Sequence, residues 1–147
     1  MDPKEAGYKF HMNDIAATMA LVGLKESDKL LEHRKKIVKY YIDHLNLSHI
    51  DANLPYVVGG SYWLFAVLIN YRDELAKYLF EKNIDSNLVH LRNDISKILG
   101  GRRQKLPNMN YIEPRYLYLP LHAKMTLKDA KTVVDAVNSF IKKRRIK

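Results

Sequence analysis

The stretch over residues 61–70 constrains the fold more than any other part of this chain. Tyr62-Trp63-Leu64-Phe65-Ala66-Val67-Leu68-Ile69 is an unbroken apolar run, rich in the aromatic and β-branched residues that favour strands. It is far shorter than the ~20 residues needed to span a bilayer. A strand wet on one face would alternate apolar with polar residues. This one does not, so both of its faces are expected to be covered, with Trp63 among the core residues. The rest of the chain must then supply neighbouring strands and a second layer.

Segments suited to that task follow it. Asp73-Glu74 opens a short helix through Leu75, Leu79 and Phe80 that ends near Asn83, and the acidic first turn suits the helix dipole. Residues 84–91 read as a second strand, followed by a long loop containing Gly100-Gly101. Tyr116-Leu117-Tyr118-Leu119 reads as a third strand, stopped by Pro120. Thr126 and Asp129 have the spacing of a capping box for the last helix. Leu127, Ala130, Val133, Val134, Val137, Phe140 and Ile141 line one face of it at helical spacing.

Ahead of the apolar run, Asn13 or Asp14 is placed to cap a helix over residues 15–22. Gly23 weakens it, and Ser27 or Asp28 starts a second helix from residue 29 to about residue 45, with Leu31, Val38, Tyr41 and Leu45 on its apolar side. The fold class expected is α+β: two N-terminal helices, then a small three-stranded sheet packed with helices. Residues 1–50 form a helical arm that needs something to pack against, and residues 51–147 form the small α+β domain. The arm carries more apolar surface than a small sheet can cover, so a homo-oligomer is expected.

Composition narrows the chemistry. The absence of cysteine removes disulfides, thiolate metal sites and a cysteine nucleophile. The six histidines are dispersed, and no pair has the helical spacing of a zinc protease, so no metal site is expected. No stretch is long enough for a membrane span, and the polar start Met1-Asp2-Pro3-Lys4-Glu5 lacks the apolar core of a signal peptide, so a cytoplasmic location is expected. The net charge of +9 invites an anionic partner. Its positive residues cluster at Arg34-Lys35-Lys36, at Arg102-Arg103-Gln104-Lys105 and at Lys142-Lys143-Arg144-Arg145. The first and third lie on helices and read as solvated faces. The middle one sits in a glycine-containing loop and stands out. A free-standing basic module that binds nucleic acid or another polyanion is therefore one functional reading.

Two constellations carry more specific chemistry. Gly7-Tyr8-Lys9-Phe10-His11-Met12-Asn13-Asp14-Ile15 reads as a turn feeding into a helix, with Lys9 and His11 just outside its start. Unpaired N–H groups and a partial positive charge make such a place an anion site; the plainer reading is a solvated lysine. Val89-His90-Leu91-Arg92-Asn93-Asp94 ends a strand with a histidine, an arginine, an amide and a carboxylate. Strand ends facing a cleft are where ligands bind, and Arg92 has the fork to hold a carboxylate or diphosphate. The plainer reading is a polar turn capped by Asn93-Asp94.

These residues resemble a known family. The Gly7–Ile15 run is similar to the Gly-Tyr-(Asn/Lys)-aromatic-x-Met-x-Asp-Ile stretch of the DegT/DnrJ/EryC1/StrS sugar aminotransferases, which use pyridoxal phosphate. Leu106-Pro107-Asn108, and Leu119-Pro120-Leu121-His122 followed by Met125-Thr126, resemble two later landmarks of that family. Ser61-Tyr62-Trp63-Leu64-Phe65 resembles its Tyr-His-Leu-Phe strand, with Trp63 in place of the histidine. The resemblance implies the small C-terminal domain of an aspartate-aminotransferase-like fold. It implies Lys9, His11 and Asn13 near a cofactor phosphate held across a subunit interface. It also implies His90, Arg92, Asn93, Arg102 and Arg103 on the side of a nucleotide-sugar substrate. In the family the lysine that holds the cofactor precedes the first motif by a few dozen residues, whereas six residues precede it here. The expected reading is the C-terminal part of such an enzyme, with no catalytic residue and no covalently held cofactor of its own. It would act with a large domain or partner subunit that carries the lysine.

Overall fold

The structure is a computed structural model in which residues 12–46 and 60–145 are described. Its elements are α1 (Asp14–His44), β1 (Phe65–Leu68), α2 (Arg72–Phe80), α3 (Pro107–Ile112), β2 (Tyr116–Leu119) and α4 (Leu127–Arg145), with a 3-10 turn at Lys97–Leu99. A mixed arrangement of helices around a small sheet is what the sequence suggests. Several details differ from the expectation, three of them large.

First, the two expected N-terminal helices are one helix of 31 residues. Asn13 starts it, its side-chain Oδ1 accepting from the Ala16 N–H at 2.9 Å. Ser27 does not start a new helix; its hydroxyl donates to the Leu24 carbonyl at 2.7 Å. A glycine inside a helix costs about 1 kcal/mol relative to alanine. Breaking the helix at Gly23 would strand the unpaired N–H and C=O groups of two new ends, a larger penalty. At about 1.5 Å per residue α1 runs about 46 Å. Only its C-terminal half enters the core, through Ile37, Val38 and Tyr41. Ile15, Met19, Leu21, Val22 and Leu24 in the other half are exposed.

Second, the sheet has two strands among the described residues. β1 and β2 pair antiparallel, Phe65 opposite Leu119, Ala66 opposite Tyr118, Val67 opposite Leu117 and Leu68 opposite Tyr116. The third strand expected over residues 84–91 is reduced to one bridge between Asn87 and Tyr118. Just past the bridge the Asn87 side-chain oxygen takes the Leu88 N–H at 2.7 Å.

Third, Trp63, expected in the core, is 61% exposed. It precedes β1 and lies outside the paired register. The long loop before β2 is likewise more regular than expected, since Pro107, a favoured first helical residue, begins α3.

The apolar run over 61–70 does have both faces covered where it pairs. Phe65, Val67, Leu117 and Leu119 are buried in the core with Ile37, Val38 and Tyr41 of α1 and Val133, Val134 and Val137 of α4. On the other face Tyr116 and Tyr118 lie opposite Leu68 and Ala66. There the Tyr116 hydroxyl donates to the His90 carbonyl, tying the following loop down.

α4 opens with the expected reciprocal cap. The Thr126 N–H donates to Asp129 Oδ2 at 2.8 Å and the Asp129 N–H to Thr126 Oγ1 at 3.2 Å. The Thr126 hydroxyl, donating to Asp129 Oδ2 at 2.7 Å, and then the Thr126 N–H hold the Asp129 carboxyl below its ordinary range. Leu127 departs from the expected stripe and is half-exposed; Met125, at 2% exposure, fills the core at that end. α2 stops where its sequence says it should. Asn83 takes the left-handed conformation at φ 58°, and the Ile84 N–H reaches back to the Leu79 carbonyl at 3.0 Å.

Tyr41 joins these parts. Its ring is fully buried and tilted against Phe65 at 4.7 Å. Its hydroxyl donates to the Pro120 carbonyl at 2.8 Å, beside the Met125 sulfur at 3.7 Å. Burial, and then the charge of Asp129, push its pKa above the ordinary tyrosine value, so it remains a donor. Asn138 of α4 adds a second tie, donating to the His44 carbonyl at 2.9 Å and accepting from the Asn46 N–H at 2.8 Å.

Two outcomes follow. Tyr41→Phe keeps the ring but orphans the Pro120 carbonyl, and should cost about 1–2 kcal/mol in urea unfolding. An added Cβ at Gly23 meets nothing within 4 Å. Gly23→Ala should therefore raise helix content and stabilise α1 by about 0.5–1 kcal/mol, read by circular dichroism on heating.

Candidate functional site

The loop between the Asn87 bridge and β2 contains the substrate-side residues suggested by the sequence. Its organiser is Arg92, whose side chain is only 1% exposed. Its Nε and Nη2 grip the two oxygens of Asp94, each at 2.5 Å. Its Nη1 donates to Asn110 Oδ1 at 2.8 Å and to Glu113 Oε2 at 3.0 Å, and its Nη2 reaches the Gln104 carbonyl at 3.4 Å. A guanidinium has five N–H donors, and all five have partners inside the chain. The bidentate partner of Arg92 is thus Asp94, where the sequence suggested a substrate carboxylate or diphosphate.

The electrostatics follow from that geometry. The Arg92 hydrogen bond, and then the Gln104 N–H at 2.8 Å, hold the Asp94 carboxyl well below the usual aspartate range. Glu113 is lowered by Arg92 first, with Arg103 adding to it. Arg92 in turn is raised, chiefly by Asp94. The cluster clamps residues 92–94, 104 and 110–113 together, so the segment between residues 94 and 104 leaves and returns at one point.

The other sequence candidates take different places around this clamp. Arg103 pairs with Glu113 at the surface. Arg102 is exposed and, among the described residues, has no ion pair. It follows Gly100 and Gly101, whose φ values of 99° and 59° favour glycine. Asn93 is exposed, its carbonyl accepting from the Ser96 N–H at 3.0 Å, as a polar turn would. His90 is exposed, its ring edge-on to Trp63 at 5.8 Å and to Tyr118 at 6.1 Å. At the start of α1, Asn13 Oδ1 is engaged by the helix cap, which leaves its Nδ2 as the donor available to an anion. Lys9 and His11 lie outside the described residues.

The sequence reading missed the clamp's other members. Asp94, two residues after Arg92, was visible in the motif. Gln104, Asn110 and Glu113 carry no signal, because their role comes from the loop's closure. A cleft of about 540 Å³ adjoins this region, lined by Leu64, Asp85, Tyr118, His122, Asp129 and Thr132 among others. Among the described residues no group of histidines and carboxylates is arranged to hold a metal. No described helix is long and apolar enough to cross a membrane.

The clamp makes a pH-dependent contribution to stability. Because Asp94 and Glu113 are depressed in the folded chain, their contribution is complete above the ordinary carboxylate value of about 4. It is lost as pH falls below that value toward the folded-state one. Urea midpoints measured at about pH 6 and about pH 3 should fall with acidification, and Arg92→Met should shrink the acid-sensitive part. In the same variant the Gln104 amide should exchange with solvent faster.

Comparison with known proteins agrees with this architecture. Sugar aminotransferase CalS13 from Micromonospora echinospora superposes with a TM-score of 0.79 at 21% identity, over 90% of this chain and 37% of that one. The aminotransferase TlmJ from Streptoalloteichus hindustanus gives 0.81 at 22% identity, over 91% of this chain and 38% of that one. Among curated sequences, an uncharacterized protein of Methanocaldococcus jannaschii is 29% identical over 96% of this chain and 40% of its own length. The UDP-4-amino-4,6-dideoxy-N-acetyl-beta-L-altrosamine transaminase of Campylobacter jejuni is 28% identical over 97% of this chain, again 40% of its own length. The chain thus spans about two fifths of the curated relatives it matches. With the family model for DegT/DnrJ/EryC1/StrS aminotransferases matching residues 2–138, the chain belongs to that family.

Proposed function

We propose that this chain is the small C-terminal part of a nucleotide-sugar aminotransferase that uses pyridoxal phosphate, and that it does not catalyse alone. The observation that carries this reading is the pairing of a family match over residues 2–138 with coverage of only 40% of the curated relatives. In the complete enzyme the lysine that holds the cofactor would come from the large domain. The cofactor, when bound, supplies an electron sink for the carbon that loses or gains its proton. Glutamate is the proposed amino donor and a keto-deoxysugar nucleotide the proposed acceptor.

Within this reading the residues divide by role. Lys9, His11 and the Asn13 amide would face the cofactor phosphate at the start of α1, where the helix N-terminus favours an anion. His90, Asn93 and Arg102 would face the nucleotide sugar, with Arg103 at the edge of the same loop. Arg92 is a positioning residue, since its donors serve the loop and not the substrate. The exposed apolar residues Ile15, Met19 and Val22, at helical spacing on α1, would meet the large domain or a second subunit. The division proposed is a helical arm over residues 1–50 and a small domain over residues 51–147, in a cytoplasmic homo-oligomer.

The nucleic-acid reading finds less support. Arg144 pairs with Glu74 and stacks over Tyr71 at 4.3 Å, while Lys143 and Lys82 both lie over the Tyr78 ring, at 5.4 and 5.1 Å. These cations are engaged with their own surface.

The test uses the purified chain. Treatment with pyridoxal phosphate and borohydride should leave no stoichiometric adduct. Mixed with a separately produced large domain from a family member, the chain should restore amination of a keto-sugar nucleotide. One stoichiometrically modified lysine in the isolated chain would overturn the assignment.

A further inference from the structure

The residue that starts α2 is held in a conformation its side chain resists. Tyr71 stands at the helix N-cap with φ 64° and ψ 33°, in the left-handed region, and its side chain makes no capping bond. For a bulky L-residue that region crowds Cβ against the following carbonyl, and glycine, asparagine or aspartate is the usual occupant. Asn83, the other non-glycine residue at positive φ among the described residues, is of that type; Tyr71 is not. Tyr71 is also 58% exposed, so no enclosing core compels it. Such a residue persists only where its neighbours over-determine it.

The neighbour in question is the last turn of α4. The Arg144 guanidinium lies over the Tyr71 ring at 4.3 Å and pairs with Glu74 in the first turn of α2. It lies 5.7 Å from the ring of Phe140, one turn back on its own helix, and Phe140 packs on Tyr78 of α2 at 5.6 Å. One cation thus grips the residue before α2, the start of α2 and its own helix together. Relaxed to an extended conformation, Tyr71 would take its ring off the guanidinium. Its carbonyl, which accepts the Leu75 N–H at 3.0 Å, would also turn away from α2. Arg144 lies beyond residue 138, where the family match ends.

The same turn is sewn to the start of β2. Asn70 Oδ1 accepts from Arg115 Nε at 3.1 Å, the Ile69 N–H donates to the Arg115 carbonyl at 2.9 Å, and Arg72 Nη1 reaches the Tyr116 carbonyl at 3.4 Å. The Tyr116 hydroxyl in turn donates to the His90 carbonyl, and the His90 ring stands edge-on to Trp63 at 5.8 Å.

We propose that Arg144 is a strap that keeps Tyr71 left-handed and, through Arg72 and Tyr116, sets where the His90 backbone lies. The element with two states is the backbone of Tyr71, and Arg144 biases it. Part of the grip is an ion pair whose Arg144 and Glu74 side chains are 36% and 53% exposed, so dissolved salt screens it. The strap therefore slackens as ionic strength rises. It needs no cofactor, substrate or large domain.

Hydrogen exchange of the full chain and the emission of Trp63, its only tryptophan, test this. Tyr71→Ala keeps the Cβ that resists the left-handed region and removes the ring that Arg144 holds. Tyr71→Gly removes both. Arg144→Gln and Tyr71→Ala should each speed exchange of the Leu75 amide about tenfold, the weight of the left-handed penalty, and should shift Trp63 emission. Tyr71→Gly should keep the parental exchange and emission, and in that background Arg144→Gln should change neither. Raising sodium chloride from about 20 mM to about 1 M should loosen the Leu75 amide in the parent and not in Tyr71→Gly. Unaltered Leu75 exchange in Arg144→Gln would overturn the strap. So would a Tyr71→Gly chain as loose as Tyr71→Ala, the result that a plain surface contact gives. Faster Leu75 exchange with Trp63 emission unmoved would overturn the reach to His90.

Discussion

A single buried hydroxyl decides how this small protein is put together. Tyr41 lies on the long first helix, and the carbonyl it binds belongs to Pro120, at the point where the second strand gives way to the last helix. Sequence neighbours do not make that contact; it spans 79 positions. A phenol placed there in an apolar core has one way to avoid a desolvation penalty, which is to find that carbonyl. The bond therefore fixes the depth and rotation of α1 on the sheet. Ile37, Val38 and Leu45 pack where Tyr41 lets them, and Asn138 completes the junction at the end of the helix. Once α1 is fixed, Arg34 reaches the Tyr62 carbonyl and sets the approach to β1.

What was legible in the sequence and what was not divides along a physical line. The last helix and its reciprocal cap, the helix after β1 with its left-handed Asn83, and the two paired strands depend on neighbours within a few residues. Their signals are local and were readable. The unbroken first helix was missed because a glycine and two polar cap residues look like a boundary. Continuity across them is favoured by the ends it avoids, a cost written nowhere in the local sequence. The third strand is reduced to the single Asn87–Tyr118 bridge, and nothing local in residues 84–91 announces that the pairing stops there. Trp63 was misread for a related reason: an apolar run marks a strand's neighbourhood but not where the pairing begins, and the register starts two residues later at Phe65.

The candidate site shows the same line more sharply. Arg92 has a fork to offer, and in the folded chain that fork closes on the chain itself. Its donors can be matched to partners only by counting Gln104, Asn110 and Glu113, all more than ten residues away. A buried guanidinium with every N–H matched is a costly element to assemble and a rigid one once assembled. Its consequence is positional. The loop carrying Gly100, Gly101 and Arg102 departs from a clamped base, so its exposed end is presented from a defined place.

Burial is distributed unevenly along α1, and that asymmetry bears on what the chain is built to do. From Ile37 onward its apolar residues are enclosed; before that, Ile15, Met19 and Val22 follow one helical face and meet water. The small sheet has no room for them, because its helix-facing side is already filled by α1 and α4. A sequence free to fold for itself alone would gain nothing from such a face and would risk association through it. Asn13, one of the residues proposed to meet a cofactor phosphate, caps that same end of α1, beyond the part the core holds. The Asn13 cap and the uncovered apolar face thus fall in one half of α1, and the core takes the other.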